Sequence, residues 1–248
     1  MFLTSSNDND LFENFDKIGL KNGTHNKNIL IKINLSRICR KNHPRTDMPL
    51  LRKIVKYIFE NDGKCAITEG SDGFLNENLQ ASGFDDMLKY YGIKVIDVDL
   101  EECDEVFFNG EYHYIPKCFQ EYQIGIAIPA TSKRLNMLYS NNVKLFFGAV
   151  PRKMYQLENT DILKDAPRSK LHQNLHFSVA NLFLAINSYI NFGFFINGGL
   201  SYNENRGEFM LEETFVGNDA MELDSYIFEK YFNDCEFPDY LNMLRKQK

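Results

Sequence analysis

Apolar and polar positions alternate along the chain in a way that predicts strands and helices in turn. Residues 29–35, ILIKINL, follow a period of two, as a strand does when its two faces differ. A basic, polar stretch comes next, SRICRKNHPRTD, with Arg37, Arg40, Lys41, His43 and Arg45. In it Thr46 or Asp47 is placed to cap a helix, and Pro49 falls in that helix's first turn. Leu50, Leu51, Ile54, Val55, Ile58 and Phe59 then recur at helical spacing and make one apolar face. Gly63 ends the helix, and KCAITE, residues 64–69, reads as a second strand. Strand, helix and strand at this spacing form a βαβ unit with parallel pairing.

After a polar glycine-containing turn, EGSDGF, the pattern gives a short helix, FDDMLKYYG, and a strand, KVIDVDL. VFFNGEYHYIP reads as a β-hairpin, because Asn109-Gly110 accepts the left-handed backbone such a turn needs. The chain re-enters the sheet at residues 124–128, stopped by Pro129. Past Pro151 a polar stretch, RKMYQLENTDILKDAPRSKLHQ, predicts loop. It is followed by an apolar helix (NLHFSVANLFLAINSYI), a buried strand (FGFFING), a hairpin turn (NENRGEF), a last strand (EETFVG) and a closing helix (NDAMELDSYIFEKYF). The fold class expected is α/β: a single twisted mixed sheet, mainly parallel, flanked by helices, with an antiparallel hairpin insertion. Residues 1–28 are expected to be a loosely attached lead-in segment and 29–248 a single α/β domain.

Composition narrows the function classes. The 28 Lys+Arg against 34 Asp+Glu leave a net charge of −6, which argues against a nucleic-acid partner. No apolar run nears the ~18 residues of a membrane-spanning helix. The N-terminus is acidic and polar, unlike a signal peptide, so a cytoplasmic protein without a membrane partner is expected. Cys39, Cys65, Cys103, Cys118 and Cys235 are scattered, with none of the clustered spacing of a disulfide framework, a zinc knot or an iron–sulfur motif. They read as free thiols.

Several short patterns in order resemble the family called domain of unknown function 362. Lys32-Ile33-Asn34 after an apolar start, with Arg45 to Pro49 (RTDMP), resembles that family's opening, an apolar strand ending Lys-Pro-Asn before a Thr-[Asp/His]-Pro helix start. The resemblance continues at EGSD, at Gly83, in the strand-Pro-basic loop around Pro129, and in the Lys-x-x-x-Gly of Lys144 and Gly148. His172 or His176 fits a histidine the family places before its long apolar helix, and residues 216–224, VGNDAMELD, resemble its C-terminal motif. The resemblance covers residues 29–232. Many members of the family carry a four-iron–four-sulfur insert, and this sequence has none. The family's Pro-Lys-x-Lys-Thr-His loop is Pro129-Ala-Thr-Ser-Lys133-Arg134 here, its Lys-Pro-Asn proline is Ile33, and the asparagine after its central lysine is Leu145. These departures imply a changed substrate or a lost activity.

The candidate chemistry gathers where ligands bind in open α/β sheets, beyond the C-terminal ends of the strands. Lys32, Arg45, Lys133 and Arg134 fall at strand ends or in the loops after them and suit a phosphate or carboxylate. Asn34 joins them through the resemblance, and Asp219 joins as an acid that also suits a helix start. Lys144 interrupts an apolar run, where desolvation lowers a lysine's pKa and equips it as a base or imine-forming amine. Glu69 closes the second strand, and His172 is a proton-transfer candidate. His172 and His176 lack a third zinc ligand, which disfavours zinc, and Glu69 with Asp219 is the pair a magnesium ion would use. Two readings stand side by side: an enzyme acting on a small anionic metabolite, and a non-catalytic member that binds a ligand or partner.

Overall fold

A computed structural model describes residues 1–35, 45–71, 73–134, 138–158 and 168–246. Twelve strands are described: β1 (Phe2–Ser5), β2 (Asn28–Ile33), β3 (Lys64–Glu69), β4 (Lys94–Asp97), β5 (Cys103–Phe108), β6 (Glu111–Pro116), β7 (Ile124–Ile128), β8 (Ser132–Lys133), β9 (Phe192–Asn197), β10 (Leu200–Asn203), β11 (Gly207–Met210) and β12 (Thr214–Gly217). Ten α-helices accompany them: α1 (Asp8–Lys17), α2 (Leu20–Thr24), α3 (Met48–Glu60), α4 (Leu75–Ala81), α5 (Asp85–Tyr91), α6 (Asn142–Leu145), α7 (Arg152–Tyr155), α8 (Leu175–Tyr189), α9 (Ala220–Tyr231) and α10 (Asp239–Arg245). The main sheet has the order β1-β12-β9-β7-β2-β3-β4, with β9, β7, β2, β3 and β4 mutually parallel and β1 and β12 antiparallel to their neighbours. This is the mainly parallel, helix-flanked sheet the hydrophobic pattern predicts.

The strands are apolar on both sides because both faces are covered. Ile29, Ile31, Ile33, Cys65, Ile67, Ile126 and Ile128 point to one face and pack under α1 to α5. Leu30, Ala66, Ala127, Phe195 and Phe215 point to the other and pack under α6 to α10. Helix α3 forms as its amphipathic stripe predicts: Leu50, Leu51, Ile54, Val55 and Ile58 are buried, and Asp47 caps it by accepting from Leu50 N at 2.7 Å. Each such aliphatic side chain taken from water contributes roughly 1.5–3 kcal/mol before entropy is charged. The β5–β6 hairpin turns through Asn109 and Gly110, at φ 49° and 86°, as Asn-Gly turns do.

Two expectations are corrected. Residues 1–28 are no loose lead-in: Phe2–Ser5 pairs antiparallel with Thr214–Gly217, and Leu11, Phe15 and Leu20 are buried in the core. The partner strand lies at the far end of the chain, so no local pattern announces the pairing. The described ends of the stretch after Pro151 are not loop either: α7 opens it and a 3-10 helix, Ser169–Asn174, closes it.

Strand order fixes where the site lies. From β2 the chain moves outward through β3 to β4, then returns to β7 on the other side of β2 and continues to β9. The topological switch point is therefore the β2–β7 junction, where a ligand crevice is expected. Here it is stitched shut by Thr46. Its hydroxyl donates to Ile128 O and accepts from Asn34 N at 2.8 Å, while Thr46 N donates to Asn34 O at 2.8 Å. The ionisable groups sit beside this plug, at the ends of β2, β3 and β4.

Candidate active site

Lys32 is the next-to-last residue of β2 and faces the α6–α10 side, opposite Ile31 and Ile33, so it cannot reach water. Its Nζ donates to Glu69 Oε2 at 2.7 Å, at the end of the adjacent β3, and to Ile33 O at 2.7 Å. Burial pushes Lys32 below the usual lysine range, opposed by the attraction of Glu69. The same burial pushes Glu69 above the usual carboxylate range, opposed by Lys32. Both groups are drawn toward their neutral forms, which brings the ion pair and its proton-transferred counterpart closer in free energy.

A second buried pair adjoins the first. Arg168 Nη2 lies 3.3 Å from Asp99 Oδ1, with both side chains almost fully covered. Arg168 Nε donates to Val150 O at 2.7 Å, and Asp99 Oδ1 accepts from Arg152 N at 2.6 Å. Asp99 follows β4, so the four groups bridge three strand ends with charges that cancel. Two glycines make room for them. A Cβ on Gly148 would stand 3.0 Å from Glu69 Oε1 and 3.3 Å from Lys32 Nζ, and one on Gly70 would run into the Arg168 guanidinium. A side chain at Gly70 must move the Arg168 guanidinium, and one at Gly148 must push Glu69 and Lys32 back by a few tenths of an ångström.

The amides of the polar glycine turn after β3 are engaged by a carboxylate of the chain itself. Asp97, the last residue of β4, accepts from Gly73 N at 2.9 Å, Leu75 N at 3.2 Å and Ser71 N at 3.3 Å. Burial raises Asp97 above the usual carboxylate range while these bonds oppose the shift.

Lys144 lies one turn before Gly148, on α6. It is half-buried, and its ammonium sits 5.6 Å from the centre of the Phe147 ring. The His172 ring meets the same Phe147 ring edge-on at 5.4 Å. No carboxylate among the described residues pairs with Lys144, and burial alone pushes its amine down to about 8. At that value the ammonium and the free amine are both populated near neutral pH, which is what proton transfer requires.

The remaining predicted site residues divide. Asn34 directly follows β2, its backbone held by Thr46, and half-buried Arg45 directly precedes Thr46. Lys133 is taken up by Glu204 at 3.1 Å, and Arg134 lies 4.8 Å over the Tyr202 ring, so the basic loop is tied to β10 and the turn after it. Asp219 is not brought to this edge. Because β12 runs antiparallel, α9 starts at the opposite edge of the sheet, where Asp219 caps it by accepting from Met221 N and Glu222 N. A magnesium site shared by Glu69 and Asp219 is thereby ruled out. His176 does not act with His172, since its Nδ1 accepts from Tyr240 N at 3.2 Å. Among the described residues no group of three or more His, Cys, Asp or Glu side chains could hold a metal ion. Arg37, Arg40, Lys41, His43 and Asp72 lie outside the described residues.

Sequence reasoning missed Asp99 and Arg168. Asp99 lies in a 3-10 turn, Val98–Leu100, just past the end of β4, and in the sequence Asp-Val-Asp-Leu a second acid two positions after a strand-end acid is a usable signal. Arg168 sits in a stretch without periodicity and takes a left-handed backbone, φ 61°, so nothing local marks it. No curated protein and no solved structure matches the chain. The model of the family described as "Domain of unknown function (DUF362)" matches residues 29–229, most of the chain, and the protein belongs to that family.

Proposed function

We propose that the protein is an enzyme acting on a small anionic metabolite, bearing a phosphate or carboxylate, at the C-terminal edge of its sheet. Lys144 meets the substrate: as the ammonium it attracts the anion, and as the amine it takes up a proton. His172, across the Phe147 ring, is the second proton-transfer group, and Glu69, locked to Lys32, fixes the floor on which Gly148 and the Lys144 turn rest. The observation that carries this reading is Lys144 itself. Lys32, Arg168 and Lys133 are each matched by a carboxylate, whereas Lys144 is held half-buried with none among the described residues. An uncompensated, desolvated amine costs stability, and such groups concentrate at functional sites. A cytoplasmic setting belongs to the same proposal; Cys65, Cys103, Cys118 and Cys235 are free thiols, and among the described residues no helix is long and apolar enough to cross a membrane.

A second reading, a non-catalytic ligand-binding protein, is favoured by the Lys133–Glu204 pair and the Arg134–Tyr202 contact, which occupy the loop internally. Thermal shift with inorganic phosphate, phosphate esters and small carboxylates tests what the two share. An anion at about 100 times its Kd stabilises by roughly 2.7 kcal/mol, a rise of about 5–10 °C for a chain of this size. The rise should vanish in Lys144→Ala. If no anion shifts the melting temperature, both readings fail. If anions bind but no substrate of the class turns over, the non-catalytic one stands.

A further inference from the structure

We infer that Asp224 is a positioning residue for Lys144: its carboxylate, reaching in from α9, supplies the N-terminal cap that α6 lacks. This rests on the proposed role of Lys144 but concerns a different residue, on a different helix.

Helix α6 has four residues, and its N-cap, Asn141, makes no side-chain capping bond. One turn has no cooperative strength of its own, because nucleation is costly and the first amides of a helix find no partner within it. Here those amides are met from outside. Asn142 N donates to Asp224 Oδ1 at 3.1 Å and Val143 N donates to Asp224 Oδ2 at 2.9 Å, so the two oxygens grip consecutive amides immediately before Lys144. Asn142 Nδ2 adds a third bond to Asp224 Oδ1 at 2.8 Å and a bond to Asn197 Oδ1 at 2.7 Å, at the end of β9.

The anchor extends further. Thr131 Oγ1 donates to Asn141 Oδ1 at 3.0 Å, and Asn141 Nδ2 donates to the Tyr139 hydroxyl at 2.9 Å. Asp224, Asn141, Asn142 and Asn197 are all fully buried, where a lost bond is not replaced by water. The turn carrying Lys144 is therefore fixed at its start by Asp224 and at its end by Gly148 against the Lys32–Glu69 pair. Between two such anchors the amine is held half-buried over Phe147. If the first anchor is removed, Lys144 gains solvent.

The test is the pH dependence of acylation at Lys144 by acetic anhydride, read by mass spectrometry on the full chain, in wild type and in Asp224→Asn. Asparagine keeps the shape but presents an amide where both oxygens accept, so at least one capping bond is lost. The first unit by which Lys144's apparent pKa rises above about 8 lowers its free-amine fraction at pH about 8 by roughly fivefold, and each further unit by about tenfold. A fall of that size or more in the labelling rate is expected. Asn142→Ala, which keeps both backbone donors but removes the side-chain bonds, should shift the profile the same way by a smaller factor, and it decides the matter if Asp224→Asn does not fold. Folded variants with a lower melting temperature but a wild-type Lys144 profile overturn the inference. A wild-type profile with an ordinary lysine value, still changed by Asp224→Asn, refutes the proposed role of Lys144 while supporting the anchoring by Asp224.

Discussion

Replacing Lys144 by methionine removes the amine and keeps the length of an apolar stem. The free energy at stake follows from the environment. Burial moves the amine from an ordinary 10.5 to about 8, and at about 1.4 kcal/mol per unit this is roughly 3 kcal/mol against the folded cation. Because the side chain is only half-buried, water screens part of this and about 2 kcal/mol is the expected effect. At pH about 7, where folded and unfolded chains both carry the cation, Lys144→Met should be more stable by that amount. Its melting temperature should rise about 4–8 °C.

The effect depends on pH. Between the folded value near 8 and the unfolded 10.5 the unfolded chain binds more protons, so wild-type stability rises with pH across that window. Lys144→Met lacks this term, and its advantage should shrink to nothing by the upper end. Urea unfolding at several values between about pH 7 and 11 measures it. A variant that is destabilised at neutral pH, or whose advantage does not change with pH, refutes the picture of a desolvated and unpaired amine.

Three further outcomes follow from the geometry. Glu69→Gln strands Lys32 without its partner inside the protein and should cost about 3–5 kcal/mol in urea unfolding, whereas replacing both residues together by apolar ones of similar size should cost far less; equal losses would contradict a true buried pair. Gly148→Ala puts a methyl 3.0 Å from Glu69 Oε1 and should destabilise by about 1–3 kcal/mol while blunting any anion-dependent thermal shift, and a neutral result would mean that the turn moves freely over the quartet. Asp224 is raised by burial from 3.8 to about 7. The native state therefore binds the extra proton in that window, and the group's contribution, present below the unfolded value, is lost as pH rises through about 7, on the order of 4 kcal/mol. The buried Tyr139 and Tyr240 hydroxyls beside it are held well above their ordinary range and stay neutral throughout. Stability in wild type minus that in Asp224→Asn should follow this curve in denaturant titrations, and a flat difference would contradict it.

How much of this was legible in the chain varies by residue. Helix α3 and strands β3 and β7 were readable because their burial follows local periodicity, and Lys144 stood out as a charge inside an apolar run; Lys32 read as the polar position of an alternating strand, whereas both faces of β2 are covered and Lys32 is buried. Glu69 was readable as a strand end, but its pairing with Lys32 rather than Lys144 depends on the β2–β3 register, in which Lys32 pairs with Thr68, next to Glu69. Asp219 misled because a helix-start acid looks the same at either edge of a sheet, and only the antiparallel course of β12 decides which edge it occupies. The N-terminal strand was hidden for a related reason: its pairing is with residues at the opposite end of the sequence. Arg168 carries no periodic signature, since a residue in an irregular, left-handed conformation is specified by what it touches.

In the proposed function Lys144 is the cation that meets a small anion at the strand ends. Calorimetric titration of the wild-type chain and Lys144→Met with the phosphate or carboxylate that gives the largest thermal shift tests it most directly. Binding that is present at pH about 7, falls about tenfold per unit as pH rises beyond about 8, and is lost in Lys144→Met is the predicted result. Equal affinity in the two proteins, or none in either, would contradict it.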